Sequence, residues 1–126
     1  MSKAANSDSG SSPVTLHSSP DIYDDGHLRV EHDNYYVSCG GEPLRFRRAE
    51  FLLLSRLARS VERVVRAEEL WRHAWGGGKP YNAESLHVHV YRLRGKLAPR
   101  GVRIETMVNV GYRLVPARGR GLLTPI

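Results

Sequence analysis

The sequence predicts an α+β domain in which a small antiparallel sheet is followed by three helices and a C-terminal β-hairpin. Short alternating segments separated by turn residues span residues 26 to 46. Apolar residues spaced three and four apart then recur from residue 50 to residue 97, as in amphipathic helices. Residues 103 to 115 alternate again around a turn. With 126 residues, 40% of them hydrophobic, the chain can form one core of this kind.

The first strands and the first two helices are predicted from these periodicities. Leu28 and Val30 alternate with polar neighbours, and a turn at residues 32 to 34 lets residues 35 to 38 pair back on them. A further turn at residues 40 to 43 leads into a strand at 44 to 46. The first helix is predicted over Glu50 to Arg59 and the second over Ala67 to Trp75. Their core-facing residues are Phe51, Leu54, Leu57 and Ala58, and Leu70, Trp71 and Ala74.

The third helix, residues 82 to 97, is the most informative element because its two faces differ. Asn82 is a good N-cap after the break at residues 76 to 81. One face is an apolar stripe formed by Leu86, Val90, Leu93 and Leu97. The other face carries His87, Val88, Tyr91, Arg92 and Arg94. Such a face suits a DNA major groove, whereas a basic outer face is also typical of a solvated helix.

A hairpin is predicted last, with strands at Arg103 to Met107 and Val110 to Val115 and a turn at Val108-Asn109. Strands, three helices and a hairpin, in this order, are the arrangement of a winged helix-turn-helix domain. We expect residues 1 to 25 to be a disordered Ser-rich leader or linker, residues 26 to 116 the winged-helix domain, and residues 117 to 126 a basic flexible tail.

Charge is unevenly distributed along the chain. Residues 44 to 103 hold 14 Lys and Arg against 5 Asp and Glu, whereas residues 1 to 43 hold 2 against 7. A basic segment that coincides with the helices indicates a polyanionic partner. No apolar run approaches 18 residues and no signal-peptide pattern follows Met1, so we expect neither a membrane span nor secretion. The single cysteine, Cys39, fits a reducing cytoplasm.

The residue patterns give no support for an enzyme. Gly78-Lys79-Pro80 lacks the upstream glycine and the Ser or Thr of a phosphate-binding loop. His87 and His89 are two apart, hence on different sides of a helix, and no cysteine cluster accompanies them. We therefore expect no catalytic residues, no metal and no cofactor.

From His27 to Pro116 the chain resembles the DNA-binding effector domain of the OmpR/PhoB family of two-component response regulators. The resemblance depends on short motifs in a fixed order rather than on any single one. These are Gly41-Glu42-Pro43-Leu44, Glu50-Phe51 with Leu53-Leu54, Arg63-Val64-Val65, Glu69-Leu70, Ala74-Trp75-Gly76, Val88-His89-Val90, Arg92-Leu93-Arg94, Lys96-Leu97 and Val110-Gly111-Tyr112-Arg113-Leu114. The resemblance implies a four-stranded N-terminal sheet, a recognition helix in the major groove and a wing beside the minor groove.

Helix position, together with the resemblance, indicates roles for individual residues. Base-reading candidates are His87, Val88, Tyr91 and Arg92, and phosphate candidates are Arg47, Arg66, Trp75, Ser85, His89, Arg94 and Lys96. Trp75 has an alternative role as a cap on the core, and His89 as a packed histidine bonded to the backbone. The loop expected to face RNA polymerase consists of Gly76, Gly77, Gly78, Lys79, Pro80 and Tyr81.

The chain departs from the family pattern at three places. Arg47 and Arg66 stand where relatives commonly have Ser or Thr capping the first two helices. Glu84-Ser85-Leu86-His87 replaces a frequent Arg-Thr-Val-Asp. In the wing, Val108-Asn109 replaces Arg-Gly, so the nearest cations are Arg113 and the tail residues Arg118 and Arg120.

These observations predict sequence-specific binding of double-stranded DNA for transcription regulation, with helix 82–97 in the major groove. The alternative is a winged-helix protein-interaction module that binds RNA polymerase or another regulator. Without a receiver domain, we expect a monomer in solution that pairs head to tail on DNA.

Overall fold

The computed structural model describes residues 21 to 117, and its elements follow the predicted order. The helices are α1 (Arg48–Ala58), α2 (Ala67–Trp75) and α3 (Ala83–Leu97), and a short 3-10 turn (Ala98–Arg100) follows α3. The strands are β1 (Ile22–Asp24), β2 (Leu28–Glu31), β3 (Tyr36–Cys39), β4 (Glu42–Leu44), β5 (Val65–Arg66), β6 (Arg103–Met107) and β7 (Gly111–Val115). The predicted α+β winged helix-turn-helix fold is confirmed.

The N-terminal sheet is antiparallel with strand order β1-β2-β3-β4. Strand β1 lies within the segment predicted as a disordered leader, so the domain begins before residue 26. A side-chain turn explains the difference, because Asp25 Oδ1 accepts the backbone N–H groups of His27 at 2.9 Å and Leu28 at 2.8 Å. This turn folds β1 back onto β2, with Tyr23 opposite Val30. The remaining parts of the predicted leader and tail, residues 1–20 and 118–126, lie outside the described residues.

The three helices enclose the core. The buried side chains include the predicted stripe of α3 together with Leu53, Leu54 and Leu57 of α1 and Leu70 and Trp71 of α2. Helix α1 starts at Arg48, two positions before the predicted Glu50. Neither Arg47 nor Arg66 makes a side-chain capping bond, since a guanidinium has no acceptor to offer a helix N–H. Instead, the Glu50 carboxylate accepts the backbone N–H of Arg47 at 3.1 Å.

The wing is fixed to the start of α2 by a second antiparallel sheet, of order β5-β7-β6. Gly111 of β7 lies opposite Arg66 of β5. A Cβ at Gly111 would lie 1.9 Å from the Val65 carbonyl oxygen, so this position requires glycine. The Ala67 N–H also donates to the Val110 carbonyl at 3.0 Å. The hairpin is therefore held to β5 and the start of α2 at two backbone positions next to its turn.

Candidate nucleic-acid interface

Helix α3 presents the predicted two faces. Asn82 is the N-cap, and its side-chain oxygen accepts the Ser85 N–H at 2.9 Å. Leu86, Val90, Leu93 and Leu97 are all buried, which confirms the predicted stripe. The core therefore sets which side of α3 faces solvent.

The outer arc of α3 consists of His87, Val88, Tyr91 and Arg92, all exposed. Tyr91 is 68% exposed and Val88 41% exposed, although large apolar and aromatic groups usually pack inside. Within residues 21 to 117, Arg92 forms no ion pair, including none with Glu84. The arc thus offers a guanidinium, an imidazole, a phenol and a small apolar group on adjacent positions.

An aromatic cluster connects α2, the following loop and α3. The rings of Trp71 and Trp75 are stacked with centroids 4.2 Å apart, and Trp75 meets the His89 ring edge-on at 4.9 Å. The Trp71 indole N–H donates to the Lys79 carbonyl at 3.0 Å, and Tyr81 packs edge-on against Trp71 at 6.0 Å. Trp75 is partly buried against the core, as its alternative role required. Among the described residues its indole N–H has no hydrogen-bond acceptor, so the N–H can still bind an external acceptor.

His89 and Ser85 form a contact within α3. His89 Nδ1 lies 2.8 Å from the Ser85 carbonyl, which can only accept, so Nδ1 carries a proton and donates. This is the backbone-bonded histidine that the sequence left as an alternative. In the neutral ring Nε2 is then an acceptor, and donation from Nε2 to a phosphate requires the doubly protonated ring.

Two basic residues of α3 already have partners inside the protein. Arg94 Nε donates to the Ile104 carbonyl and Arg94 Nη2 to Thr106 Oγ1, both at 2.9 Å. Arg94 therefore fixes α3 against β6 and retains Nη1 for other contacts.

Lys96 is the other basic residue with a partner. Its Nζ donates to the Glu50 carboxylate at 2.8 Å and to the Arg45 carbonyl at 3.2 Å. Glu50 is 1% exposed. Burial raises the pKa of Glu50, but hydrogen bonds from Lys96 and from the backbone of Arg47 outweigh burial and hold the pKa below its usual value. Lys96 therefore has a structural role that the sequence prediction of a phosphate contact did not include.

The wing tip carries exposed apolar groups and no cation. Val108 is 76% exposed, Val110 47% and Met107 37%. Asn109 has a left-handed φ of 65°, and the Val110 N–H donates to the Met107 carbonyl at 2.9 Å, as in a tight turn.

Arg113, the wing cation expected from the sequence, points to Glu105 on the neighbouring strand. Its Nε lies 3.1 Å from Glu105 Oε1, and the pKa of Glu105 is lowered chiefly by this hydrogen bond. The two residues are opposite each other in the β6–β7 register. This cross-strand pair was available from the hairpin spacing and was missed.

Arg47 and Arg66 lie exposed at opposite ends of the candidate interface. Arg47 precedes α1 near Lys96 at the C-terminal end of α3, as the Lys96–Arg45 contact shows. Arg66 precedes α2 beside the wing, opposite Gly111. The wing lies beside Arg66 through the β5–β7 pairing and beside the start of α3 through a cleft that Ala83 and Met107 both line. The loop at residues 76 to 81 is exposed.

Residues 21 to 117 lack two other kinds of feature. No helix there is long and apolar enough to cross a membrane. The same residues contain no group of three or more His, Cys, Asp or Glu side chains able to hold a metal ion.

Known proteins resemble this chain in sequence over most of the domain. The family model described as the C-terminal domain of transcriptional regulatory proteins matches residues 41 to 114. The response regulator ArlR of Staphylococcus haemolyticus is 35% identical over 94 residues, 73% of this chain and 43% of that protein. The sensory transduction protein RegX3 of Mycolicibacterium smegmatis is 32% identical over 114 residues, 88% of this chain and 47% of that protein. The chain thus spans less than half the length of these relatives.

Solved structures agree with the sequence relatives. The RstA DNA-binding domain of Klebsiella pneumoniae, in complex with the RstA box, superimposes with a TM-score of 0.64 at 30% identity, over 75% of this chain and 97% of that one. The DNA-binding domain of CpxR from E. coli gives a TM-score of 0.65 at 27% identity, over 76% and 97%. With its winged-helix topology and the match over residues 41 to 114, the chain belongs to the family of transcriptional regulatory C-terminal domains, of the OmpR/PhoB type.

Proposed function

We propose that this domain binds double-stranded DNA sequence-specifically and thereby regulates transcription. The observation that carries the proposal is the outer arc of α3, where His87, Val88, Tyr91 and Arg92 are exposed opposite a fully buried stripe. A helix of this kind fits the major groove, where a guanidinium can contact guanine O6 and N7 and a small apolar side chain can contact the thymine methyl. The related RstA domain, solved with the RstA box, supports this assignment.

Phosphate contacts in this proposal come from groups around the arc. Arg47 and Arg66 supply positive charge at the two ends of α3. The indole N–H of Trp75, the hydroxyl of Ser85 and Nη1 of Arg94 supply hydrogen-bond donors. His89 can donate to a phosphate only when both ring nitrogens carry protons, since Nδ1 already donates to the Ser85 carbonyl. Such contacts position the protein on the duplex without reading its sequence. We assign Lys96 to the support of Glu50 instead.

A salt titration tests DNA binding against the alternative, a protein-interaction module. Neutralising phosphates releases counterions, so the logarithm of the affinity for duplex DNA should fall linearly with the logarithm of salt concentration. The exposed apolar wing tip is the observation that favours the alternative. No measurable binding to random duplex at about 50 mM salt would eliminate the DNA proposal in favour of the alternative.

Arg92→Ala tests the placement of α3. It should weaken binding to a duplex selected from a random pool by about 1–3 kcal/mol and relax the preference at one base pair. Arg29→Ala is the matched control, because Arg29 lies on β2 of the N-terminal sheet and pairs with Asp24 and Glu31. If selection with the Arg92→Ala protein returns the same DNA motif, bound with wild-type affinity, α3 does not read the groove.

The proposal also covers how two copies assemble on DNA and which loop faces RNA polymerase. Two copies are expected to bind directly repeated half-sites about 10 bp apart, while the free protein is a monomer. The exposed loop from Gly76 to Tyr81, braced by the Trp71–Lys79 hydrogen bond, is the expected polymerase-facing element. Footprints on direct rather than inverted repeats would support the assembly, and a stable dimer in light scattering without DNA would contradict it.

A further inference from the structure

We infer that the wing reads DNA through an apolar wedge, Val108, which enters the minor groove and prefers a flexible base step there. This inference rests on the proposed DNA binding and specifies how the wing takes part in it.

The first step is the chemistry of the tip. Val108 is the most exposed of the large hydrophobic residues in the part of the chain that the structure describes, at 76%. It is flanked by the partly exposed Met107 and Val110. Three exposed apolar side chains within four consecutive residues favour a contact surface over a solvated loop.

The second step is the absence of a cation at the tip. Arg113 is engaged by Glu105, and Arg94 donates to Ile104 and Thr106 at the base of the same hairpin. Within residues 21 to 117, no ammonium or guanidinium belongs to the turn from Met107 to Val110. The tip is therefore unsuited to the usual reading of a narrow minor groove, which attracts inserted arginines by its negative potential.

The third step is position and stiffness. Tyr81 and Ala83, on either side of the α3 N-cap, line a cleft of about 240 Å³ together with Met107, Asn109 and Val110. The wing tip therefore lies beside the N-terminal end of α3, so we expect a duplex whose major groove holds α3 to meet the tip at the neighbouring groove. Gly111 packs on the Val65 carbonyl, and the Ala67 N–H donates to the Val110 carbonyl, so the residues that follow the turn are anchored to the rest of the domain, as a wedge requires.

An apolar side chain in the minor groove acts by partly unstacking a step and bending the duplex. The energetic cost is smallest at pyrimidine–purine steps such as TA and CA/TG. Asn109, held in the left-handed region beside Val108, has an amide that can donate to adenine N3 or thymine O2 and accept from guanine N2. The wing would thus prefer base steps that deform easily, whereas a cationic wing prefers a minor groove with strong negative potential.

The test uses a duplex of about 30 bp selected from a random pool, labelled at both ends for energy transfer and carrying 2-aminopurine at the candidate step. The wild type should bend the duplex and raise 2-aminopurine fluorescence. Val108→Ala should reduce both signals and weaken binding roughly five- to thirty-fold, as expected from losing most of one buried valine. Val64→Ala is the matched control, since Val64 is an exposed valine that does not line the cleft.

A second variant tests selection. Val108→Arg should shift the preferred flank from flexible steps to stiff A-tracts with a narrow minor groove. If Val108→Ala bends the duplex, raises the fluorescence and binds as the wild type does, the wedge is overturned. The exposed tip would then serve as a contact for a protein partner. A large fall in the melting temperature of Val108→Ala would also overturn the wedge, because the side chain would then be structural. Failure of the wild type to bind any duplex refutes the proposed function itself, which is a distinguishable result.

Discussion

Replacing Lys96 with methionine is expected to lower the free energy of unfolding by about 1–3 kcal/mol at pH 7. The variant removes the 2.8 Å hydrogen bond to Glu50 and leaves a carboxylate that is 1% exposed with the Arg47 backbone N–H as its donor. The Lys96 side chain is 40% exposed, so the pair lies at the edge of the core rather than deep inside it. The loss should therefore be smaller than the roughly 3–5 kcal/mol that is typical of breaking a fully buried pair. Methionine keeps an unbranched stem beside Phe46, whose ring centroid lies 5.3 Å from Lys96 Nζ.

The pH dependence of this loss follows from the pKa of Glu50. In the wild type that pKa lies below its usual value, because the hydrogen bonds outweigh burial. The carboxylate thus contributes stability above the unfolded-state pKa of about 4.3, and this contribution is lost as pH falls through the folded-state pKa. Without Lys96, burial raises the folded-state pKa, so the carboxyl group takes up a proton at higher pH. The difference in stability between the two proteins should therefore narrow on acidification.

Urea unfolding at pH 7 and pH 4 measures both effects. Lys79→Met is the control, since Lys79 is exposed in the loop and forms no ion pair within the described residues. Adding Glu50→Gln to Lys96→Met should recover part of the loss. The reasoning fails if Lys96→Met costs less than about 0.5 kcal/mol, or if its cost is the same at both pH values. A DNA salt slope lowered by about one unit with unchanged stability would restore the phosphate role instead.

Two further predictions concern the fold. Gly111→Ala should prevent normal packing of the wing, because its Cβ would lie 1.9 Å from the Val65 carbonyl oxygen. Gly78→Ala is the control, since a Cβ there meets nothing within 4 Å. Equal melting temperatures for the two variants would contradict the close approach of β7 to β5. Burial lowers the pKa of His32 to about 4, so the unfolded chain binds a proton at this histidine at a higher pH than the folded chain does. The free energy of unfolding should therefore fall by up to about 3 kcal/mol as pH drops from about 6.5 to 4. Urea unfolding across this range should show a flatter profile for His32→Gln, and an unchanged profile would rule out His32 as the cause.

Local patterns predicted most of the fold. Helix α2 has the predicted bounds, Asn82 caps α3, and the α3 stripe is buried, because each depends on spacing within one element. The contacts that sequence reasoning missed join distant positions. Glu50 and Lys96 are 46 positions apart, and their pairing follows from how α1 packs on α3. Strand β1 was missed because its turn depends on the hydrogen bonds of Asp25 rather than on alternation.

The internal pairing also changes what the charge of this domain means for binding. Composition counts every cation in the basic segment equally, yet several are already paired with acidic groups of the protein. These are Arg56 with Glu69, Lys96 with Glu50, Arg100 with Glu42 and Arg103 with Glu105. Because each neutralised phosphate contributes about −0.9 to the salt slope, a slope set by the phosphate contacts proposed for Arg47, Arg66 and Arg94 would be far shallower than the composition indicates. An apolar wing would add affinity without releasing counterions. In the proposed complex the phosphate-contacting arginines position the duplex, while the α3 arc and the wing tip read its sequence.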